Sequence, residues 1–295
     1  MSLGRQEKIM QTYFGLRLAM VVLTFMLLAS IVIQLVDLGC MQSSISAYYF
    51  TPVRPIFIAT LCVVGTGLII YRGNTPFENG VLDIAGFLAI IVALVPTKES
   101  GMGCKVTNAP STEEILSIVA NNIGALFLAG LVALLSSLLL KPRYAKKGKL
   151  AESSRFWSFS VSTALLAAGA LYFLNNPAGF ATSAHLRAAL LFFVLILVVI
   201  GANARCAKSP YNYLYWLILG GTLMIGVPLF ILGVTGHAFT TWLFWVESVC
   251  ILGFAAFWTV QTKELGGFVD RTHKVEAQNA DGPVIESSNV KLHLP

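Results

Sequence analysis

Eight long apolar runs dominate this sequence: Leu18–Val36, Pro55–Tyr71, Gly80–Pro96, Ile115–Leu140, Trp157–Leu174, Leu186–Ala204, Tyr213–Val234 and Phe239–Val260. A bilayer hydrocarbon core of about 30 Å takes roughly 20 apolar residues per helix. In that medium a backbone amide or carbonyl has no water to bond, so a spanning segment of this composition must be helical. The expected fold class is therefore all-α, a polytopic transmembrane helix bundle of eight spans. Three runs lie near the short limit, so seven spans plus one re-entrant segment is the alternative. Only 12% of the residues are charged, against about a quarter in soluble domains. That is too few to coat a water-facing surface. The first run is too long for the apolar part of a signal peptide, and no small-residue cleavage pattern follows it before Asp37. It reads as a retained span.

Placement of charge sets the expected orientation. With the N-terminus inside, the cytoplasmic segments collect Arg5, Lys8, Arg17, Arg72, Lys141, Arg143, Lys146, Lys147, Lys149, Arg155, Arg205, Lys208, Lys263, Arg271, Lys274 and Lys291. The outer loops keep Arg54, Lys98, Lys105 and Arg187. The positive-inside rule then selects N-in and C-in. The basic stretch between spans four and five would rest on the anionic leaflet, which makes membrane lipids the expected partners. Nucleic acid is not an expected partner, because the basic residues follow the span ends and carry no nucleic-acid motif. Residues 1–17 read as a basic cytoplasmic lead, 18–262 as the helical domain and 263–295 as a disordered cytoplasmic tail. Cys40 and Cys104 fall in external loops and are expected to form a disulfide, since such bonds persist on the oxidising side. No internal repeat is evident, and nothing in the chain fixes an oligomeric state.

Several boundaries have local chemistry. Ser111-Thr112-Glu113-Glu114 is a capping box for the fourth span, and it accounts for both acids. Ala125, Ala129 and Ala133 form a small-residue stripe suited to close helix approach. Pro228 removes a backbone donor within span seven. Tyr211, Tyr213, Tyr215, Trp216, Trp242 and Trp245 sit near span ends, as interfacial aromatics do.

The candidate site rests on Glu247. A carboxylate inside the membrane is costly unless it is partnered, and Glu247 lies eight positions past the start of the last run. Its expected counter-charges are Arg54 and Arg187, at the outer starts of spans two and six. Asn121, Asn122, His185, His237 and Tyr49 reach the same outer depth, and the Ser43–Tyr49 loop enters beside them. Together they outline an outer-half polar pocket. Taken singly each has a plain alternative: an ion pair locking helices, an interhelical amide or a solvated histidine. Asp83, near the cytoplasmic end of span three, is expected to pair with Arg72, Arg155 or Arg205.

Three segments carry a resemblance. Ser44-Ile45-Ser46-Ala47-Tyr48-Tyr49-Phe50-Thr51-Pro52-Val53-Arg54 is the first. Tyr71-Arg72-Gly73, Leu82-Asp83-Ile84-Ala85-Gly86 and Val92-Ala93-Leu94-Val95-Pro96-Thr97 continue it, and Phe244-Trp245-Val246-Glu247-Ser248 ends it. Together they resemble the signature of a bacterial family of polytopic inner-membrane proteins without an assigned activity. The resemblance implies a multi-pass protein of the bacterial inner membrane. Leu82-Asp83-Ile84-Ala85-Gly86 is also similar to the Asp-containing third-helix motif of the alkaline ceramidase and progestin/adiponectin receptor superfamily. Those proteins hold zinc with three intramembrane histidines. Here His185 and His237 read as loop-edge residues, so the three ligands a catalytic zinc needs are missing. No metal and no cofactor is expected.

The sequence has no phosphate-binding loop, nucleophile elbow, paired-histidine zinc motif or dinucleotide fingerprint. The leading expectation is a protein that binds or moves a small or lipidic solute through the pocket at Glu247. The alternatives are an intramembrane hydrolase or transferase using Ser46, His185 or His237 with Glu247, and a scaffold protein in which the pocket only locks helices.

Overall fold

The computed structural model describes residues 3–97, 111–140, 149–272 and 274–275. It is helical: α1 Leu3–Leu38, α2 Arg54–Ile70, α3 Pro76–Leu94, α4 Thr112–Leu139, α5 Lys149–Asn175, α6 Pro177–Cys206, α7 Tyr211–Val234 and α8 Trp242–Leu265. A short 3-10 helix, Ser46–Phe50, precedes α2. Six of the helices are long and apolar enough to cross a membrane; Arg54–Ile70 and Phe159–Asn175 are shorter apolar helices. Each of the eight apolar runs thus lies largely within one helix. The outward surface is apolar, as a lipid-facing surface must be: Leu139, Met224 and Val36 are 80%, 79% and 74% exposed.

Packing divides the helices into an inner ring and an outer layer. α1, α2, α3, α6, α7 and α8 contact one another in that cyclic order, and α6 also touches α8. α4 and α5 lean on the outside, against α3 and α6. The ring is tightest where α2 crosses α3. A Cβ on Gly65 would stand 2.6 Å from the Gly86 carbonyl oxygen, and one on Gly86 would stand 2.4 Å from that of Gly65. The two backbones touch there because neither helix has a side chain at the crossing.

The helix ends follow their sequence signals. Thr75 and Asn176 cap α3 and α6, each followed by Pro. The capping box at Ser111 and Glu114 is formed. Asp83 pairs with Arg72 at 3.9 Å. The alanine stripe of α4 behaves differently from expectation. Ala125, Ala129 and Ala133 are exposed, and α4 instead meets α5 at Gly130 against Leu166.

Residues 3–17 of the expected basic lead belong to α1. Of the residues expected from 263 onward as a tail, 263–265 belong to α8 and 266–271 are held against the bundle. Polar composition concealed this, since the anchors are themselves polar. His185, expected at a loop edge, lies within α6 and is 4% exposed.

Replacing Gly86 by Ala should force α2 and α3 apart and lower the melting temperature by an equivalent of about 1–3 kcal/mol, the usual cost of overpacking. Gly80→Ala, at a position with open space around it, should leave stability within about 0.5 kcal/mol. Thermal denaturation of the two purified variants in one detergent checks the contrast.

Candidate functional site

The start of α1 and the end of α8 lie at one end of the bundle, here the terminal face, and the 3-10 helix lies at the other, the distal face. Residues Gln42–Tyr49 are buried along their whole length. A buried loop must find a partner for every backbone group, and this one is tied to α8. The Phe244 amide donates to the Ser43 carbonyl at 3.1 Å. The amides of Ile45 and Ser46 donate to Glu247 Oε2 at 2.6 and 3.2 Å. Ser46 Oγ donates to Glu247 Oε1 at 3.0 Å. Within the loop, the Ala47 amide donates to Ser44 Oγ at 3.0 Å. Glu247 is therefore a buried anionic cap, delivered by α8 to the start of the 3-10 helix. Free backbone N–H groups at a helix start attract negative charge, and here they take the place of a cation.

The expected counter-charges go elsewhere. Among the described residues no cation stands in salt-bridge range of Glu247. Arg54 stacks on Tyr49, 4.6 Å from the ring centroid, and donates to its hydroxyl at 3.1 Å. Arg187 does the same with Tyr172, at 5.7 and 3.3 Å. Each guanidinium is held by an aromatic ring, Arg54 at the start of α2 and Arg187 ten residues into α6.

The other candidates divide. Tyr49 belongs to the 3-10 helix and is buried. Asn122 and His185 meet at the end of α3: Asn122 Nδ2 donates to the Leu94 carbonyl at 3.2 Å, and His185 Nδ1 lies 2.6 Å from that of Val95. A carbonyl only accepts, so His185 carries its proton on Nδ1. Both residues serve carbonyls that a helix end leaves unpaired. Asn121 is exposed and donates to Asn122 Oδ1 at 3.4 Å, and exposed His237 faces Thr235. Neither histidine reaches Ser46 or Glu247 among the described contacts. The described residues contain no group of three His, Cys, Asp or Glu that could hold a metal. Cys40 is disulfide-bonded; Cys104 lies outside the described residues.

Beside Glu247 is a cavity of about 60 Å³ inside the helix ring, walled by Thr24, Ser46, Phe57, Thr60, Phe192 and Phe254 among others. Glu247 is the only ionisable group on its wall. The space admits a small solute and is too small for an acyl chain. A larger cleft of about 560 Å³ opens between α2, α3, α4 and α5, with Arg72, Asp83, Ser137 and Ser162 among apolar walls.

A second polar centre, at the terminal face, was not foreseen from the sequence. Arg17 is fully buried. It donates to the Tyr71 hydroxyl at 3.2 and 3.1 Å, and to the carbonyls of Gly266, Phe268 and Val269 at 3.0, 2.7 and 3.0 Å. Arg271 forms a two-pronged bond with Glu264 at 2.7 and 2.9 Å, and its Nη2 reaches Asn203 Oδ1 at 2.9 Å. Tyr215 donates to the same Glu264 carboxylate at 2.6 Å. Glu78 accepts from the Asn74 amide at 2.9 Å and from Asn203 Nδ2 at 3.0 Å. Burial pulls Arg271 down, but the hydrogen bond and charge of Glu264 outweigh it and hold the guanidinium above its ordinary pKa. The available signal was the set of Asn203, Gln261 and Glu264, amide and acid side chains at the ends of apolar runs.

Comparison of the chain with protein-family models, curated proteins and solved structures finds no match. The class defined by the fold is that of a multi-pass helical membrane protein, on the strength of six helices long and apolar enough to cross.

Arg17→Ala should leave three carbonyls and a tyrosine hydroxyl without their donor. The expected loss is on the order of 3 kcal/mol, because hydrogen bonds to a charged group are worth about 1.5–3 kcal/mol each and part of the loss is recovered by relaxation. Faster amide hydrogen exchange across residues 266–271, with exchange in α3 unchanged, is the accompanying readout.

Proposed function

We propose that this chain binds a small solute in the cavity beside Glu247, and that the buried 3-10 helix is the element that moves to admit it. The observation that carries this reading is Glu247 itself. It is a buried carboxylate with no cation in salt-bridge range among the described residues, held by amide hydrogens and one hydroxyl, on the wall of a mainly apolar cavity. Such a site favours a solute with a positive or hydrogen-bond-donating head and a short apolar body. The head would meet Glu247, and the body would meet Phe57, Phe192 and Phe254. The distribution of basic residues supports a distal face turned to the exterior, with both termini in the cytoplasm. A bilayer lipid suits the open cleft at α4 and α5 better than this cavity.

Glu247→Gln separates charge from tether. The glutamine oxygen can still accept from Ile45 and Ser46, and its amide can donate to Ser46 Oγ. Stability should therefore change by less than about 1 kcal/mol. Glu247→Ala should cost about 1–3 kcal/mol for each amide left unpaired. In thermal-shift titrations of the purified chain, ethylammonium chloride should stabilise the wild type saturably and leave Glu247→Gln unaffected. An equal response of the two proteins, or no response in either, overturns the reading.

A further inference from the structure

The terminal face holds a fully built cradle for a planar cation. Glu264 is 5% exposed, Asn203 1% and Gln261 0%, so the cradle is buried. Glu264 presents both oxygens to the Arg271 fork, the geometry that distinguishes guanidinium from ammonium recognition. Asn203 Oδ1 accepts the outer Nη2 and is itself oriented by Asn74 and by Glu78. The Gln261 side chain donates to Asn203 with Nε2, and its own oxygen, fully buried, has no partner among the described residues. The bundle helices therefore supply two carboxylates, Glu264 and Glu78, and two amides, Asn203 and Gln261, the α2–α3 loop adds Asn74, and the occupant is brought in by a segment outside them.

That segment is held in a particular way. Residues 266–271 turn back after α8 at Gly266, whose φ of +58° suits a residue without a side chain. The hydrogen bonds that hold them are three carbonyls to Arg17, the Arg271 amide to Asn74 Oδ1 at 3.1 Å, and the Arg271 head in the cradle. The segment itself is only partly buried. Polar anchors exchange one partner for an equivalent one at little net cost, whereas an apolar plug does not.

We propose that this cradle is a guanidinium-binding site which Arg271 occupies in cis, and which takes a guanidinium group from another molecule when residues 266–271 swing out. The site lies at the opposite face from Glu247 and does not depend on the solute reading given above.

The test uses the full chain in lipid nanodiscs. Arg271→Ala is titrated with methylguanidinium chloride and, separately, with a capped peptide of residues 266–272, against sodium chloride of equal ionic strength. A saturable rise in melting temperature is expected, and it should vanish in Glu264→Gln/Arg271→Ala. Rescue by methylguanidinium assigns the site to a small solute, and rescue by the peptide alone assigns it to a chain-borne arginine. In the wild type, the same ligand at ten times its dissociation constant should raise amide hydrogen exchange across residues 266–271 about tenfold, by mass action. Absence of rescue in the folded single variant, or equal rescue in the double variant, overturns the proposal. Should Arg271→Ala fail to fold, the wild-type measurement decides alone. Unchanged exchange there overturns displacement whatever the variants do.

Discussion

A backbone amide in an apolar interior can bond only to the protein around it, and the least regular parts of this bundle are arranged around that rule. The helices satisfy it within themselves. Among the described residues, two stretches outside the helices take help from a charged side chain distant in sequence. Gln42–Tyr49 receives it from Glu247, and residues 266–269 receive it from Arg17. The solutions mirror each other: an anion gathers amides at the distal face, and a cation gathers carbonyls at the terminal face. Each is one charged side chain on a spanning helix that fixes a short irregular segment distant in sequence.

This arrangement explains why charge–charge pairing explains so little here. A carboxylate met by two amides and a hydroxyl does not need an arginine, and an arginine met by carbonyls and a tyrosine does not need an acid. Arg54 and Arg187 are thereby left to aromatic partners. Two ion pairs depart from this pattern among the described residues: Arg72 with Asp83, and Arg271 with Glu264, where the fork fits the carboxylate and a tyrosine and an amide complete the shell.

The helical architecture was legible because apolar run length is a direct consequence of the medium, and each run lies largely within one helix. Glu247 was legible as an isolated acid within an apolar run. Its partners were not, because backbone amides carry no letter in a sequence and become conspicuous only when a loop is buried. His185 and Asn122 meet at the end of α3, where their targets are the carbonyls of Val95 and Leu94, invisible for the same reason. The terminal centre escaped notice for a different reason. Asn74, Glu78, Asn203, Gln261 and Glu264 each resemble ordinary span-end polar residues, and only the packing of α3, α6 and α8 brings them together. The polar stretch after α8 reads as solvated until Arg17 is seen to bind it.

The Arg17 clamp also bears on the order of assembly. Its side chain belongs to α1, while three of its acceptors belong to residues 266, 268 and 269, synthesised only after α8. Until they arrive, the guanidinium in α1 must stay hydrated or be shielded by another molecule, since a lone cation is costly in hydrocarbon. Closure of the helix ring is thus coupled to synthesis of the residues that follow α8, which gives the newborn chain an interval in which α1 is inserted but not yet locked.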